Sequence, residues 1–460
     1  MMLSKNVLRR CVTRRGVAFL TLLACIPLQP VVSVRAAALN GTTLWTGFDD
    51  GFTYNDAGNW SPGTIPNSSL TAVLFGGPNM GTGAFFSQMS GTVAMGKLMF
   101  SNSLDVTTVA LQATTPSTDL INLYGTGGVG IFQSFPRAVS IEPKVQVMAD
   151  QTWQINAGSL DLVNQLDLST HALTLTGAGT VNARAAVIAS AGPITLNGGS
   201  VLNLWSDNST TLTGGSIVVN NGTVGLGNKG AGNRPIQLNG PTAVVNNYAG
   251  ASITSFAPIG GSQGTVQVSQ NTFLQKGAIS TAQLTKTGVG ILQLGTGGVN
   301  TLGKLTIKAG TVQVAASGGT LPTSSEVVMN GGKLDVSTFT EHISKLTLLA
   351  NSTLSLTVNA PAAALAMDTM DLQSGVFTIE GWEGYAGQSG IGTHIYVGTA
   401  VGEDLTTGVY FAGQGVGGQL IDSTTPGFKE LVPVPEPGTV ALLAGLGGLS
   451  LLWRRANRKS

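Results

Sequence analysis

Cysteine is almost missing from this chain. Only 2 of 460 residues are Cys, and both, Cys11 and Cys25, fall within the first 38. The rest can form no disulfide and no thiolate metal site. Charge is also scarce, at 10% of residues against about 25% in an ordinary soluble protein. With 42% hydrophobic residues, this excludes a charge-driven disordered chain. No stretch of the body carries a long apolar stripe of helical period, which excludes a large helical domain. The 64 Gly follow no G-X-Y period, which excludes collagen.

The formal net charge of +1 hides an uneven distribution. The two ends, 1–38 and 435–460, hold ten of the 23 basic residues and only one of the 22 acidic ones. That leaves 13 basic and 21 acidic residues in 39–434, a net charge of −8. An acidic body is a poor partner for nucleic acid, which needs clustered Lys and Arg.

Both ends read as addresses. Lys5 to Arg15 is a basic region, Val17 to Ile26 an apolar run, and Ala36, Ala37 and Ala38 a small-residue site. This is the layout of a signal peptide for signal peptidase, with cleavage after Ala38. The apolar run is too short for a span of about 20 residues. Leu22-Leu23-Ala24-Cys25 offers the alternative of a lipoprotein signal, and the Arg pairs weakly suggest a twin-arginine signal. At the other end, Pro435-Glu436-Pro437 stops any upstream element. An apolar run from Val440 to Trp453 and a basic tail containing Arg454 and Arg455 follow. They predict a short transmembrane helix whose tail stays in the cytoplasm. This end resembles the PEP-CTERM sorting signal, with Gly438 where many members carry Ser. The resemblance implies processing by an exosortase, a membrane transpeptidase, after transient anchoring in the inner membrane.

The body repeats a pattern, apolar-x-apolar-x-x-Gly-x-apolar-x-apolar. It is clearest from Trp153 to Leu162 and recurs at intervals of about twenty residues around Gly222, Gly310, Gly332 and Gly375. Looser copies centre on Gly179, Gly199, Gly240, Gly264, Gly290 and Ser352. Each half alternates with period two, so it is strand, and the Gly marks a corner. A repeat this short, built of strands and corners alone, is a rung of a parallel β-helix. An antiparallel sandwich is the rival arrangement. Leu284-Thr285-Lys286-Thr287-Gly288-Val289-Gly290-Ile291-Leu292-Gln293-Leu294, continued by 305–314, resembles the autotransporter-associated β-strand repeat. That resemblance implies a right-handed β-helical stalk. Trp45-Thr46-Gly47 and 59–66 resemble the N-terminal cap of such proteins. Trp382 and Tyr396, with Trp45 and Trp60, suit capping of end rungs. Segments 381–384 and 392–398 read as a closing strand pair.

No catalytic, cofactor-binding or metal-binding residue is predicted. The G-x-G-x-x-G runs at 125–130 and 413–418 lack the helix of a dinucleotide site. Gly298 to Lys304 starts like a P-loop but continues with Leu305. His171, His342 and His394 are far apart in sequence. Asp49, Asp50 and Asp56 are weak cation candidates. Asp161 and Asp335 share an outward slot, but Gly225, Gln313 and Thr378 fill it elsewhere, so no acidic stripe forms.

The expected fold is all-β: a right-handed parallel β-helix of roughly ten rungs with terminal caps and a short C-terminal transmembrane helix. The expected parts are a signal peptide (1–38), a cap with first strands (39–149), the repeat (150–380), a closing cap and linker (381–433) and the sorting signal (434–460). The expected function is that of an exported, non-enzymatic surface or matrix protein. It would be structural or adhesive, associated with exopolysaccharide or biofilm. A β-helical polysaccharide lyase or glycoside hydrolase is the alternative, and would need grouped carboxylates with Lys or Arg.

Overall fold

The computed structural model describes residues 41–47, 51–76, 83–101, 106–184, 191–205, 215–227, 233–247, 251–295, 300–315, 320–357, 363–402 and 404–435. Alternation in the sequence becomes alternation in burial. Gln151–Ile155, Ser159–Leu162 and Leu173–Thr176 each bury every second side chain. A strand with one apolar face must bury it, and here each winds back onto the strand about twenty residues earlier. Gln151–Ile155 lies parallel to Leu173–Thr176, and Ser159–Leu162 parallel to Thr180–Ala183. The result is a β-solenoid of about 12 turns, almost without helix.

Each full rung has three sides. In one rung the first side is Gln151–Ile155, the second Ser159–Leu162 and the third Leu166–Asp167. The second side carries an inward column that runs nearly the whole length. Phe85, Val109, Val139, Leu160, Val181, Leu202 and Val224 lie level with one another on successive rungs. Val245, Val266, Lys286, Ile307, Met329, Leu348 and Leu372 continue it. Every member is buried. At about 4.8 Å per rung, like side chains stack in contact along this column. Parallel stacking already includes Gly83–Met89, Thr92–Phe100 and Val106–Ala113, so the strands between 76 and 150 build rungs.

The repeat pattern does not keep to one corner. In Trp153 to Leu162 the Gly turns the chain from the first side to the second. In Leu305 to Val314 it turns the chain from the second side to the third, because Leu305–Ile307 continues the second side. The switch shows in one column. Ser200, Gly222 and Ala243 are level, and further along Gly264 is level with Leu284, Leu305, Val327, Leu346 and Met370. Small corner residues give way to large core residues there. Gly240 and Gly264 lie inside the continuous strands Ile236–Asn247 and Ile259–Gln267, so these copies bend within a strand.

Aromatics close the N-terminal end. Trp45 meets Trp60 edge-on at 4.7 Å, and Phe75 and Phe85 pack on Trp45 at 5.7 and 5.5 Å. At the other end Trp382 packs on Phe411 at 5.5 Å. Tyr396 is no cap; it lies half-buried beside His394, ring on ring at 5.5 Å. The expected closing pair is also different. Thr393–Gly402 is a strand, but its antiparallel partner is Lys429–Pro433, and 381–384 forms no strand. Lys429–Pro433 in turn pairs with Gly418–Asp422.

Candidate functional site

The outward rows of the second side are hydrogen-bonding ladders. Asp161, Asn182 and Asn203 occupy one outward row on consecutive rungs. Asn182 Nδ2 donates to Asp161 at 2.5 Å and Asn203 Nδ2 to Asn182 at 2.8 Å. Arg184 closes on Asp161 at 2.9 Å, and its guanidinium lies 5.7 Å from the Trp205 ring. Neither Arg184 nor Trp205 belongs to the repeat pattern, which is why the sequence reading passed over them. Farther along, Lys304 and Glu326 pair at 3.2 Å, and Lys345 and Asp371 at 2.8 Å. The Lys345 ammonium, hydrogen-bonded to Asp371, holds that carboxyl below its ordinary range, aided by Gln373. Across these outward rows lies a shallow groove of about 220 Å³ lined by Gln263, Thr265, Gln283, Thr285, Thr287 and Lys308, among others. The groove itself offers amides, hydroxyls and one ammonium, that of Lys308, all able to hydrogen-bond.

Several polar side chains inside the solenoid bond its own backbone. Lys286 sits in the apolar column, fully buried. Its Nζ donates to the carbonyls of Thr287, Gly288 and Ala309 at 2.9, 2.7 and 3.2 Å. Burial pushes this amine down to about 8. Gln133 does the same at another corner, donating to Phe135 and Ala157 among others. On the first side, no strand forms at 300–303 or 320–322. Side chains there supplement the backbone bonds from Thr301 N to Ile279 O and Gly303 N to Thr281 O. Asn300 accepts from Ile279 N at 2.8 Å and donates to Thr320 O at 2.7 Å. Glu341 accepts from Leu321 N at 3.0 Å, and its burial raises its carboxyl above the ordinary value.

The residues weighed for catalysis stay apart. Each His meets one carboxylate: His171 with Asp150 at 3.6 Å, His342 with Asp368 and His394 with Glu430 at 2.8 Å. Ser389 also donates to Glu430, at 2.5 Å. The order Ser–Glu–His puts the carboxylate between hydroxyl and imidazole, so the imidazole is not placed to take the hydroxyl proton. Asp56 caps a short turn by accepting from Gly58 N at 2.8 Å. Asp49 and Asp50 lie outside the described residues. Gly125–Gly130 leads into the strand Val129–Gln133, and Gly415–Val416 and Gly418–Asp422 are strands. Lys304 lies on a strand, paired with Glu326.

The sorting segment begins where the fold ends. Glu430 is buried and accepts from Ser389 Oγ and Gly390 N, and meets His394 Nδ1. Leu431 and Val432 are fully buried. Val434 N donates to Gly417 O at 3.2 Å. Gly387 N donates to Pro433 O at 2.9 Å, and Pro435 lies against Gly387. The chain is thus held up to Pro435. Ala36, Ala38, Glu436, Pro437, Arg454, Arg455 and the apolar run lie outside the described residues. Among the described residues no helix is long and apolar enough to cross a membrane.

Residues 433–458 match the PEP-CTERM protein-sorting motif. The chain is therefore an exported β-solenoid, marked for membrane-anchored sorting by an exosortase. No curated protein and no solved structure matches it.

Proposed function

We propose that this chain is a non-enzymatic structural or adhesive protein of the cell surface or extracellular matrix, associated with exopolysaccharide or biofilm. The observation that carries this reading is the junction: a sorting motif joined directly to a rigid solenoid with hydrogen-bonding outer faces. The resemblance of 284–314 to autotransporter-associated repeats supports a stalk-like role. So does an N-terminal export signal ending at Ala38, followed by exosortase processing at the far end. Replacing both Pro435 and Pro437 by Ala should leave unprocessed chain in the membrane fraction; normal release of the body would count against the reading. Purified 39–434 should co-sediment with the host's matrix polysaccharide and leave its chain length unchanged.

Among the described residues, Lys304, Glu326 and Lys345, level on successive rungs, with Asp371 bonded to Lys345 from the next rung, favour the lyase or hydrolase alternative. Depolymerisation that Glu326→Gln or Asp371→Asn abolishes would establish it.

A further inference from the structure

Among the described residues six large apolar side chains are 60% or more exposed, and three of the six stand around the exit of the sorting segment. Tyr385 is 69%, Ile391 60% and Val416 66% exposed. All three belong to the closing cap. Gly387, two residues after Tyr385, touches Pro435 and donates to Pro433. Ile391 N donates to Glu383 O within the same loop, and Gly390 donates to Glu430 of the last strand. Val416 precedes Gly417, which accepts from Val434.

The tether is short. Pro435 is held by the fold, and the apolar run starts at Val440. Five residues reach at most about 17 Å when fully extended. The headgroup layer takes up about 5–7 Å of that. While the tail is in the bilayer, the cap has almost nowhere to be except at its surface. A Tyr beside aliphatic side chains is a composition that suits the membrane interface.

We propose that the closing cap rests on the outer surface of the inner membrane during sorting, with Tyr385, Ile391 and Val416 in contact with lipid. This rests on membrane-anchored sorting by the exosortase. It adds an orientation: the solenoid is held with its C-terminal end against the bilayer.

The test uses the full chain with Cys11→Ser and Cys25→Ser, reconstituted into phosphatidylcholine vesicles that contain a headgroup spin-labelled lipid. Single cysteines at Tyr385→Cys, Ile391→Cys and Val416→Cys carry an environment-sensitive fluorophore. Val289→Cys is the control: it is apolar, 77% exposed, and near Ile291, five rungs from Tyr410. Circular dichroism checks the fold of each variant. Co-flotation with vesicles reports anchoring separately. The expected result is co-flotation of all variants, with several-fold greater quenching and a blue shift at the three cap positions. Co-flotation with quenching equal to that of the control would overturn the orientation and leave anchoring intact. Failure to co-float would overturn both. A cap label already shielded before vesicles are added would assign the patch to a second copy of the chain and overturn the proposal.

Discussion

A buried lysine in an otherwise apolar column shows how single residues hold a corner together. Lys286 replaces several donors at once, since three carbonyls turn toward its ammonium. Lys286→Ala leaves them without that donor and opens a cavity, so it should lower stability by about 2–4 kcal/mol, read as a fall in urea midpoint. The amine titrates near 8 in the fold and at its ordinary 10.5 in the unfolded chain. Between those values the unfolded chain binds the extra proton, so stability should rise with pH. Lys286→Met should lose that rise, which unfolding of both proteins at pH 7 and pH 10 will show. Glycines separate in a similar way. Gly158 has φ +66°, and a Cβ there would come within 2.2 Å of the Arg137 carbonyl. Gly199 also has positive φ, +85°, but open space around it. Gly199→Ala should cost about 1 kcal/mol for backbone strain alone. Gly158→Ala should cost distinctly more, and equal midpoints for the two would contradict the close approach at the corner.

Between residues and fold lie the elements, where the reading from sequence succeeded and failed for traceable reasons. Period-two alternation located the strands on either side of Gly158, Gly310 and Gly332 because an apolar-in, polar-out strand leaves that trace. The shift of the Gly corner from one edge of the second side to the other was not legible. The same pattern serves both corners, and only the register shows which, with the step from Gly264 to Gly290 as a faint sign. The closing pair was misassigned because antiparallel pairing across more than thirty residues, as between Tyr396 and Glu430, leaves no local pattern. The Asp161–Asn182–Asn203 ladder was half visible, since Asp161 was recognised as outward but its neighbours were not. The last strand offers a test at this scale. Glu430→Ala strips a buried carboxylate from Ser389, Gly390 and His394. It should speed amide exchange in 381–392 and 429–433 while exchange around Trp153 stays unchanged, because solenoid rungs depend chiefly on their neighbours.

As a whole, the molecule is a stack whose parts exchange with few long-range consequences. Lys304 is level with Glu326, so deleting 304–325 removes one turn and leaves the columns in register. That variant should fold with unchanged β-type circular dichroism, whereas deleting 304–314 alone should not fold, since it leaves a partial turn. The uneven charge also has a place at this scale: the basic residues of 433–458 belong to the sorting motif, and the solenoid between the two ends is acidic. The central claim is that this body is a solenoid delivered through its C-terminal signal. The most direct measurement is the intact mass of the protein recovered outside the cell, with and without a working exosortase. The account predicts a body lacking the apolar run and basic tail when the exosortase works, and its disappearance from the exterior when it does not. Recovery of the same full-length C-terminus outside the cell in both cases would contradict it.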